Sequence, residues 1–309
     1  MSYIALARML LLPVLALAAG PMLLLAPHAH AETLRIEHTQ GVTEVPRLPQ
    51  TLLVFDLAAL DTLDALGVEP AGVPEGVKPA YLRKYDADRY AKIGSLFEPD
   101  FEAVAAAAPD LVIVGGRSAA QYRELSKIAP TIDMTVDTGN YFKDAAAKIL
   151  SMARILDKEP EAASRLEALE ASVAKLKEQA GGVGTALVIM TTGGRMSAYG
   201  PGSRFGVIHT ELGIRPAAPD LTVATHGQAI SFEFILKADP DYLFVIDRDA
   251  ATGQKGQAAE ALLDNDIVRK TRVWEAGRVV YLDPDNWYLS GTGLTAMQAM
   301  VDEIAKAIQ

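Results

Sequence analysis

An α/β architecture is predicted: two lobes, each with a parallel sheet, joined by a long rigid helix and facing each other across a ligand cleft. Three features of the chain carry that prediction. The first is an internal repeat. Phe101-Glu102-Ala103-Val104, four residues, then Pro109-Asp110-Leu111-Val112-Ile113-Val114 returns 131 positions later as Phe232-Glu233-Phe234-Ile235, four residues, then Pro240-Asp241-Tyr242-Leu243-Phe244-Val245. A helix-strand unit is written twice, and the same offset pairs Arg117 with Arg248. Leu66-Gly67-Val68-Glu69-Pro70-Ala71 likewise returns as Leu212-Gly213-Ile214-Arg215-Pro216-Ala217. The second feature is the alternation of helix and strand patterns, which points to parallel strands covered by helices on both faces. The third is a stretch rich in Ala, Leu, Glu and Lys between the two copies,.

Leu52 to Phe55 is a short apolar run read as a strand, and Leu57, Leu60, Leu63 and Leu66 keep helical spacing up to a C-cap at Gly67,. After a loop from Lys78 to Tyr90, a helix from about Phe101 to Ala108 stops before Pro109, and the β-branched run Leu111 to Val114 follows as a buried strand,. A helix over Tyr122 to Ile128 and a strand over Thr131 to Thr135 complete the N-terminal lobe, residues 32–141. Residues 142–181 form the connector, with helices over Phe142 to Ile155 and Pro160 to Gln179; Leu166, Leu169, Val173 and Leu176 make one stripe, and Gly181-Gly182 ends it,. The second of these helices is a stiff spacer of roughly 30 Å, so domain motion should be small. The C-terminal lobe, residues 182–309, repeats the pattern: a strand at Ala186 to Met190, a loop from Thr191 to Arg204, helices at Phe205 to Leu212 and Phe232 to Lys237, and a strand at Tyr242 to Ile246. Leu294, Met297, Met300, Val301 and Ile304 mark a closing amphipathic helix,. Two Rossmann-like lobes result.

The 309 residues suffice for two domains, and with 50% hydrophobic residues a sizeable core is available to each,. Residues 1–31 read as a cleavable signal peptide: Arg8 precedes an apolar run from Met9 to Ala26, and Ala29-His30-Ala31 sets small residues at the cleavage site,. Nothing later is long and apolar enough to cross a bilayer. There is no cysteine, which excludes disulfides, thiolate metal sites and a cysteine-linked lipid anchor, and points to a Gram-negative periplasm,. The formal charge of −10 argues against a nucleic-acid partner, so an anionic ligand needs locally clustered arginines,.

Such sheets aim the carboxyl ends of their strands at the ligand. Arg117 and Arg248 each follow a strand, and Arg204 stands in Tyr199-Gly200-Pro201-Gly202-Ser203-Arg204-Phe205 just before a helix start; Arg195, in Thr192-Gly193-Gly194-Arg195, competes for the third place. Guanidinium forks aimed at one anion in a partly dry cleft outweigh the unfavourable overall charge. Of the three histidines past residue 31, His226 lies in a polar loop ahead of the Phe232 helix, whereas His209 falls within a helix and His38 near the mature terminus. Tyr288, in Asn286-Trp287-Tyr288-Leu289-Ser290-Gly291, is also on a loop before a helix. Phenolate is a hard donor suited to Fe3+, and imidazole is acceptable to it. Three scattered histidines make a poor zinc site. No dinucleotide fingerprint, P-loop lysine, G-x-S-x-G elbow or H-E-x-x-H pair occurs, so enzymatic readings have little support,.

The runs Tyr199-Gly200-Pro201-Gly202-Ser203-Arg204-Phe205-Gly206, Thr225-His226-Gly227, Ile230-Ser231-Phe232-Glu233 and Trp287-Tyr288 resemble those of the periplasmic ferric-siderophore-binding proteins of ABC importers, especially the branch for catecholates such as enterobactin fragments and petrobactin. The resemblance spans nearly the whole mature chain. It implies a monomeric binding protein, not an enzyme, without an intrinsic cofactor, that carries Fe3+ as a siderophore complex to an inner-membrane ABC permease dimer. By the same resemblance Arg117, Arg204 and Arg248 receive the trianionic ferric catecholate, with Trp287 beside them. His226 and Tyr288 complete the iron coordination when a siderophore supplies only four oxygens. Glu102 and Glu233, equivalent in the two copies, dock onto permease arginines. The runner-up is a haem or cobalamin carrier in which His226 or Tyr288 is an axial ligand, and the rival of another class is a periplasmic hydrolase using the same cleft.

Overall fold

A computed structural model of the chain describes residues 32–224, 226–254 and 256–309; the expected signal peptide lies outside the described residues. In the N-terminal half the strands run in the order Ala91–Lys92, Gly72–Val73, Leu52–Val54, Leu111–Val114, Thr131–Asp133, and every neighbouring pair is parallel. Leu52, Val54, Leu111 and Ile113 enter one core, and Leu53, Phe55, Val112 and Val114 enter another on the opposite face. With both faces covered, no position of these strands has to be polar, which is why the sequence shows unbroken apolar runs.

The C-terminal half differs from expectation. Its order is Gln228–Ile230, Arg195–Tyr199, Thr185–Thr192, Tyr242–Asp247, Val279–Leu282, with Arg215–Pro216 parallel to the start of Thr185–Thr192; the first two pairings are antiparallel, so the sheet is mixed. Gly193 and Gly194 are the cause. With φ of 53° and 73° they form a two-residue turn that returns the chain directly, pairing Thr192 with Arg195. Two successive left-handed residues match the twist of a hairpin, and only glycine takes them without strain. The loop expected over Thr191 to Arg204 is therefore half strand, Thr191–Thr192 and Arg195–Tyr199. The helix expected from Phe205 to Leu212 contracts to Val207–Thr210. Before the first sheet, a hairpin of Thr33–His38 with Gly41–Pro46 buries Leu34, Ile36 and His38 in strict alternation.

The repeat is a structural unit. Asp110 accepts from the backbone N–H of Gln50 (2.7 Å) and Thr51 (3.0 Å), and Asp241 accepts from Thr185 N (2.8 Å) and Oγ1 (3.1 Å). Each aspartate thus ties the start of its own strand to the start of a neighbouring one. Two residues before each Pro-Asp pair's aspartate the chain turns left-handed, at Ala108 (φ 45°) and Asp239 (φ 39°), a matched deviation at non-glycine positions,.

Between the halves, Tyr141–Ile155 leads into Glu159–Ala180, whose 22 residues give a length of about 33 Å,. This helix is packed along its length: Leu169, Leu176 and Ala180 share a core with Met297, Met300, Val301 and Ile304 of the closing helix Leu294–Ala307. The closing helix also reaches the N-terminal half, because Asp61 of helix Leu57–Ala65 accepts from Thr295 N (2.7 Å) and Ala296 N (3.1 Å).

Candidate ligand site

Arg117 and Arg248 leave the carboxyl ends of Leu111–Val114 and Tyr242–Asp247, each at the first turn that follows its strand. On the first of these turns a Cβ on Gly115 would stand 3.0 Å from the Asp56 carboxyl carbon, so the absence of a side chain is what lets the chain pass there. Arg204 follows Gly202, whose φ of 77° turns the chain toward the site. Between these arginines comes Tyr288, on a single wide turn, Asp285–Leu289, held open just before the closing helix.

All three arginines converge on Tyr288. Arg117 donates to the carbonyls of Tyr288 (2.5 Å) and Leu289 (3.2 Å), and Arg204 donates to the same Tyr288 carbonyl (2.7 Å). Arg248 Nε donates to the Tyr288 hydroxyl (2.9 Å), and its Nη1 donates to Thr192 Oγ1 (3.2 Å). Thr192 is in reach because Asp247 and Thr191 are register partners in adjacent strands. The guanidinium carbons lie 4.8 Å (Arg117), 4.6 Å (Arg204) and 5.7 Å (Arg248) from the Tyr288 ring centroid, within the range of cation–π attraction,.

Every acceptor in this set is neutral. None of the ion pairs among the described residues involves Arg117, Arg204 or Arg248. Three half-buried like charges around one side chain repel one another, and the partly dry surroundings screen that repulsion less than water would. Arg204 carries the mark of it, its affinity for the proton lowered first by burial and then by the charge of Arg117. An anion bound here would relieve that repulsion.

The same charges act on the phenol. Burial alone would raise the Tyr288 pKa, but the hydrogen bond from Arg248 and the charges of Arg117, Arg248 and Arg204 outweigh it and hold the group below the ordinary tyrosine value. The neighbouring Tyr199 shows the opposite outcome, pushed up to about 12 because burial outweighs its more limited exposure to Arg204. Tyr288 is thus prepared to ionise and act as a hard oxygen donor.

Other residues singled out by the sequence stand apart. Arg195 is exposed at the hairpin turn, and Arg204 is the arginine that meets Arg117 and Arg248 at Tyr288. Trp287 does not line the site: it is 2% exposed, in the core beneath, with Nε1 donating to Glu303 Oε2 at 2.7 Å. The indole is a member of the core cluster against which Tyr288 also packs, so its part is to anchor the turn. His226 is exposed, and the contacts of Tyr288 described above do not include it. Its loop is nonetheless tied to the site's floor, since a Cβ on Gly227 would come 2.9 Å from the Tyr199 ring, which packs edge-on against Phe205, the residue after Arg204. Glu102 and Glu233 are exposed in the first turns of Phe101–Ala106 and Phe232–Ala238. The Ser231 hydroxyl and a backbone N–H hold the Glu233 carboxyl below the usual range.

Residues 53–286 match the family model described as periplasmic binding protein. The petrobactin-binding protein YclQ of Bacillus subtilis is 41% identical over 283 residues, 90% of this chain and 89% of the relative, and its crystal structure superposes with a TM-score of 0.87 over 90% of this chain and 99% of that one. The ferric-anguibactin-binding protein FatB of Vibrio anguillarum is 33% identical, covering 89% and 87% of the two chains. The periplasmic catecholate-siderophore binding protein VctP of Vibrio cholerae matches with a TM-score of 0.84 at 33% identity, over 88% of this chain and 99% of its own.

Proposed function

The chain belongs to the periplasmic binding protein family, and on that premise we propose that it captures ferric catecholate siderophores and delivers them to an inner-membrane ABC permease for iron uptake. One observation carries this reading: three arginines without an anionic partner among the described residues converge on a tyrosine whose phenol they acidify. A ferric catecholate is a compact multiply charged oxygen anion, and it exchanges the arginines' neutral carbonyl and hydroxyl acceptors for charged oxygens, adding ion-pair attraction to bonds that only the guanidinium side now charges,.

Arg117, Arg204 and Arg248 draw in the complex. With a siderophore that supplies four oxygens, Tyr288 takes one vacant iron position and His226 the other, the exposed His226 loop moving in over the ligand. Iron is cargo here, bound as the siderophore complex, and no bond is made or broken in the organic part. Export by the signal peptide of residues 1–31 leads to a Gram-negative periplasm, with lobes over residues 32–141 and 182–309. Glu102 and Glu233, one in each copy of the repeat, dock the monomer onto the permease dimer. Among the described residues no helix is long and apolar enough to cross a membrane.

The test is a titration of the intrinsic fluorescence of Trp274 and Trp287 with the ferric complexes of a bis-catecholate, a tris-catecholate and a hydroxamate, and with haem. Tight binding of the catecholates, with a phenolate-to-iron charge-transfer band that Tyr288→Phe abolishes, is the expected result. Binding of haem alone, seen as a Soret band, assigns the arginines to propionates and overturns the catecholate reading.

A further inference from the structure

The turn that carries Tyr288 is late in the chain, yet residues from its first third hold it. We propose that Asp61 and Tyr81 are positioning residues for Tyr288, forming with Ser290 a hydrogen-bonded clamp, buried at Asp61 and Ser290 and reached from the surface by Tyr81, that fixes the Tyr288 turn against the N-terminal half. This rests on the reading of Tyr288 as an iron donor.

The clamp has three segments. The Tyr81 hydroxyl meets Ser290 Oγ at 2.9 Å and donates to Asp61 Oδ2 at 2.5 Å, 209 and 20 positions away in sequence. Ser290 in turn closes the Tyr288 turn through its N–H, which donates to the Asp285 carbonyl at 3.1 Å, while its one hydroxyl hydrogen is left to donate to the Tyr81 oxygen. Next to it Ala80 N donates to Asp285 Oδ2 at 2.8 Å, so a second bond ties the segment Ala80–Asp86 to the start of the turn. Asp61 also accepts from Thr295 N and Ala296 N, and the neighbouring Thr62 Oγ1 accepts from Leu294 N at 3.3 Å. The fit is close: a Cβ on Gly293 would stand 2.5 Å from the Asp61 carboxyl carbon.

Packing alone does not call for a carboxylate here. Asp61 is 0% exposed and takes part in none of the ion pairs of the described residues. An apolar side chain of similar size would fill the space without the several kcal/mol that burying a charge costs. What the carboxylate alone provides is acceptors for donors from two separate segments at once, which fixes where they meet. Burial raises the Tyr81 pKa strongly, so its hydroxyl remains a donor. On the far side of the turn Glu303 holds Trp287 Nε1 (2.7 Å) and Asp283 N (2.9 Å). Tyr288 stands between these two anchors. Its carbonyl then falls at Arg117 and Arg204 and its hydroxyl at Arg248.

Tyr81→Phe removes the hydroxyl and keeps the ring; Asp61→Asn keeps the size and removes the charge. In the ligand-free protein, ionisation of Tyr288 is read as the ultraviolet difference between each background and its Tyr288→Phe partner. Release of the turn from Arg248 moves that ionisation to higher pH in Tyr81→Phe, in a protein that stays folded and whose melting temperature falls no further than one lost hydrogen bond accounts for. With the ferric bis-catecholate, the charge-transfer band weakens and affinity falls about tenfold, the scale of one lost contact. The ferric tris-catecholate, which leaves iron no vacant position, binds within about twofold of wild type. An unchanged ionisation and an unchanged band in folded Tyr81→Phe overturn the clamp, as does an equal loss for both ligands, which marks general loosening. If the wild type itself shows no band, the iron reading fails, and the ligand-free ionisation still decides the clamp.

Discussion

The two copies of the repeat agree in scaffold and part ways in chemistry. Both begin with an exposed glutamate in the first helical turn, both turn left-handed at the helix end, both tie a neighbouring strand with the aspartate of a Pro-Asp pair, and both close with an arginine. From there the arginines do different work. Arg117 spends its hydrogen bonds on the carbonyls of Tyr288 and Leu289, so it senses the backbone of the turn. Arg248 bonds the Tyr288 hydroxyl and braces itself on Thr192 of its own sheet. Duplication supplied two cations facing one place, and their surroundings made one a holder of the turn and the other a tuner of the phenol.

The sharpest way to break this comparison is to remove each arginine in turn. Arg117→Ala and Arg248→Ala should each weaken a trianionic ferric tris-catecholate about 100-fold, on the order of 3 kcal/mol, and a neutral ligand much less. Equal losses for charged and neutral ligands in the titration would remove the electrostatic argument. The two variants should then diverge in the phenol. Arg248→Gln takes away both the hydrogen bond and a charge, and moves Tyr288 ionisation up toward the ordinary value further than Arg117→Gln does,. The stability consequence has a definite sign. Because the folded pKa of Tyr288 is depressed, its ionisation favours the folded state as pH climbs from that lowered value through the unfolded value near 10, and the contribution is absent at lower pH,. Wild type should gain on Tyr288→Phe across that alkaline window, and Arg248→Gln should narrow the gain.

Smaller effects are expected in the scaffold, where the copies are nearly but not fully alike. Asp110→Ala leaves Gln50 and Thr51 N–H groups without their acceptor, and Asp241→Ala does the same to Thr185. Loss of such a tie costs about 1–3 kcal/mol. Asp241 additionally meets Arg272 at 3.3 Å, but that pair is solvated and adds little,. Similar shifts in denaturation midpoint are therefore expected for the two, with ligand affinity preserved. A loss of binding in Asp110→Ala at unchanged stability would show that the strand tie reaches the ligand.

The sequence made the doubled elements legible because they are doubled. A fixed offset located Arg117 and Arg248, and unbroken apolar runs marked strands buried on both faces. Arg204 and Tyr288 lie outside the repeat and were picked out only by their loops ahead of helix starts, with motif likeness preferring Arg204 to Arg195, because their meeting depends on contacts across 84 positions of chain. What went unread had other causes. Gly193-Gly194 is a hairpin signal between two strand-like runs, but the expectation of parallel strands in this half hid it. The Thr33–His38 hairpin has clean alternation, yet it stands directly after the signal segment. Trp287 was expected beside the ligand, and nothing in its place in the chain showed that the indole would be buried in the core with Nε1 on Glu303.

The smallest effects on the isolated protein belong to the pair that defines the start of each copy. Glu102 and Glu233 are exposed, and their replacement should leave melting temperature and ligand affinity unchanged, as surface substitutions away from special contacts do,. The helices they begin are not equivalent in capping: Asp100 accepts from Ala103 N at 3.0 Å, whereas Ser231 makes no such bond and instead supports Glu233. Glu233 is therefore the more firmly placed of the two carboxylates. If a two-fold permease reads both lobes, Glu102→Ala and Glu233→Ala should each reduce iron uptake in membranes reconstituted with the transporter, the double variant should reduce it further, and raised salt should mimic them by screening exposed charges. The better-held Glu233 should matter more, because less conformational freedom is lost when it pairs. Full uptake by the double variant would detach these carboxylates from docking and leave them as N-terminal charges favoured by the helix dipole.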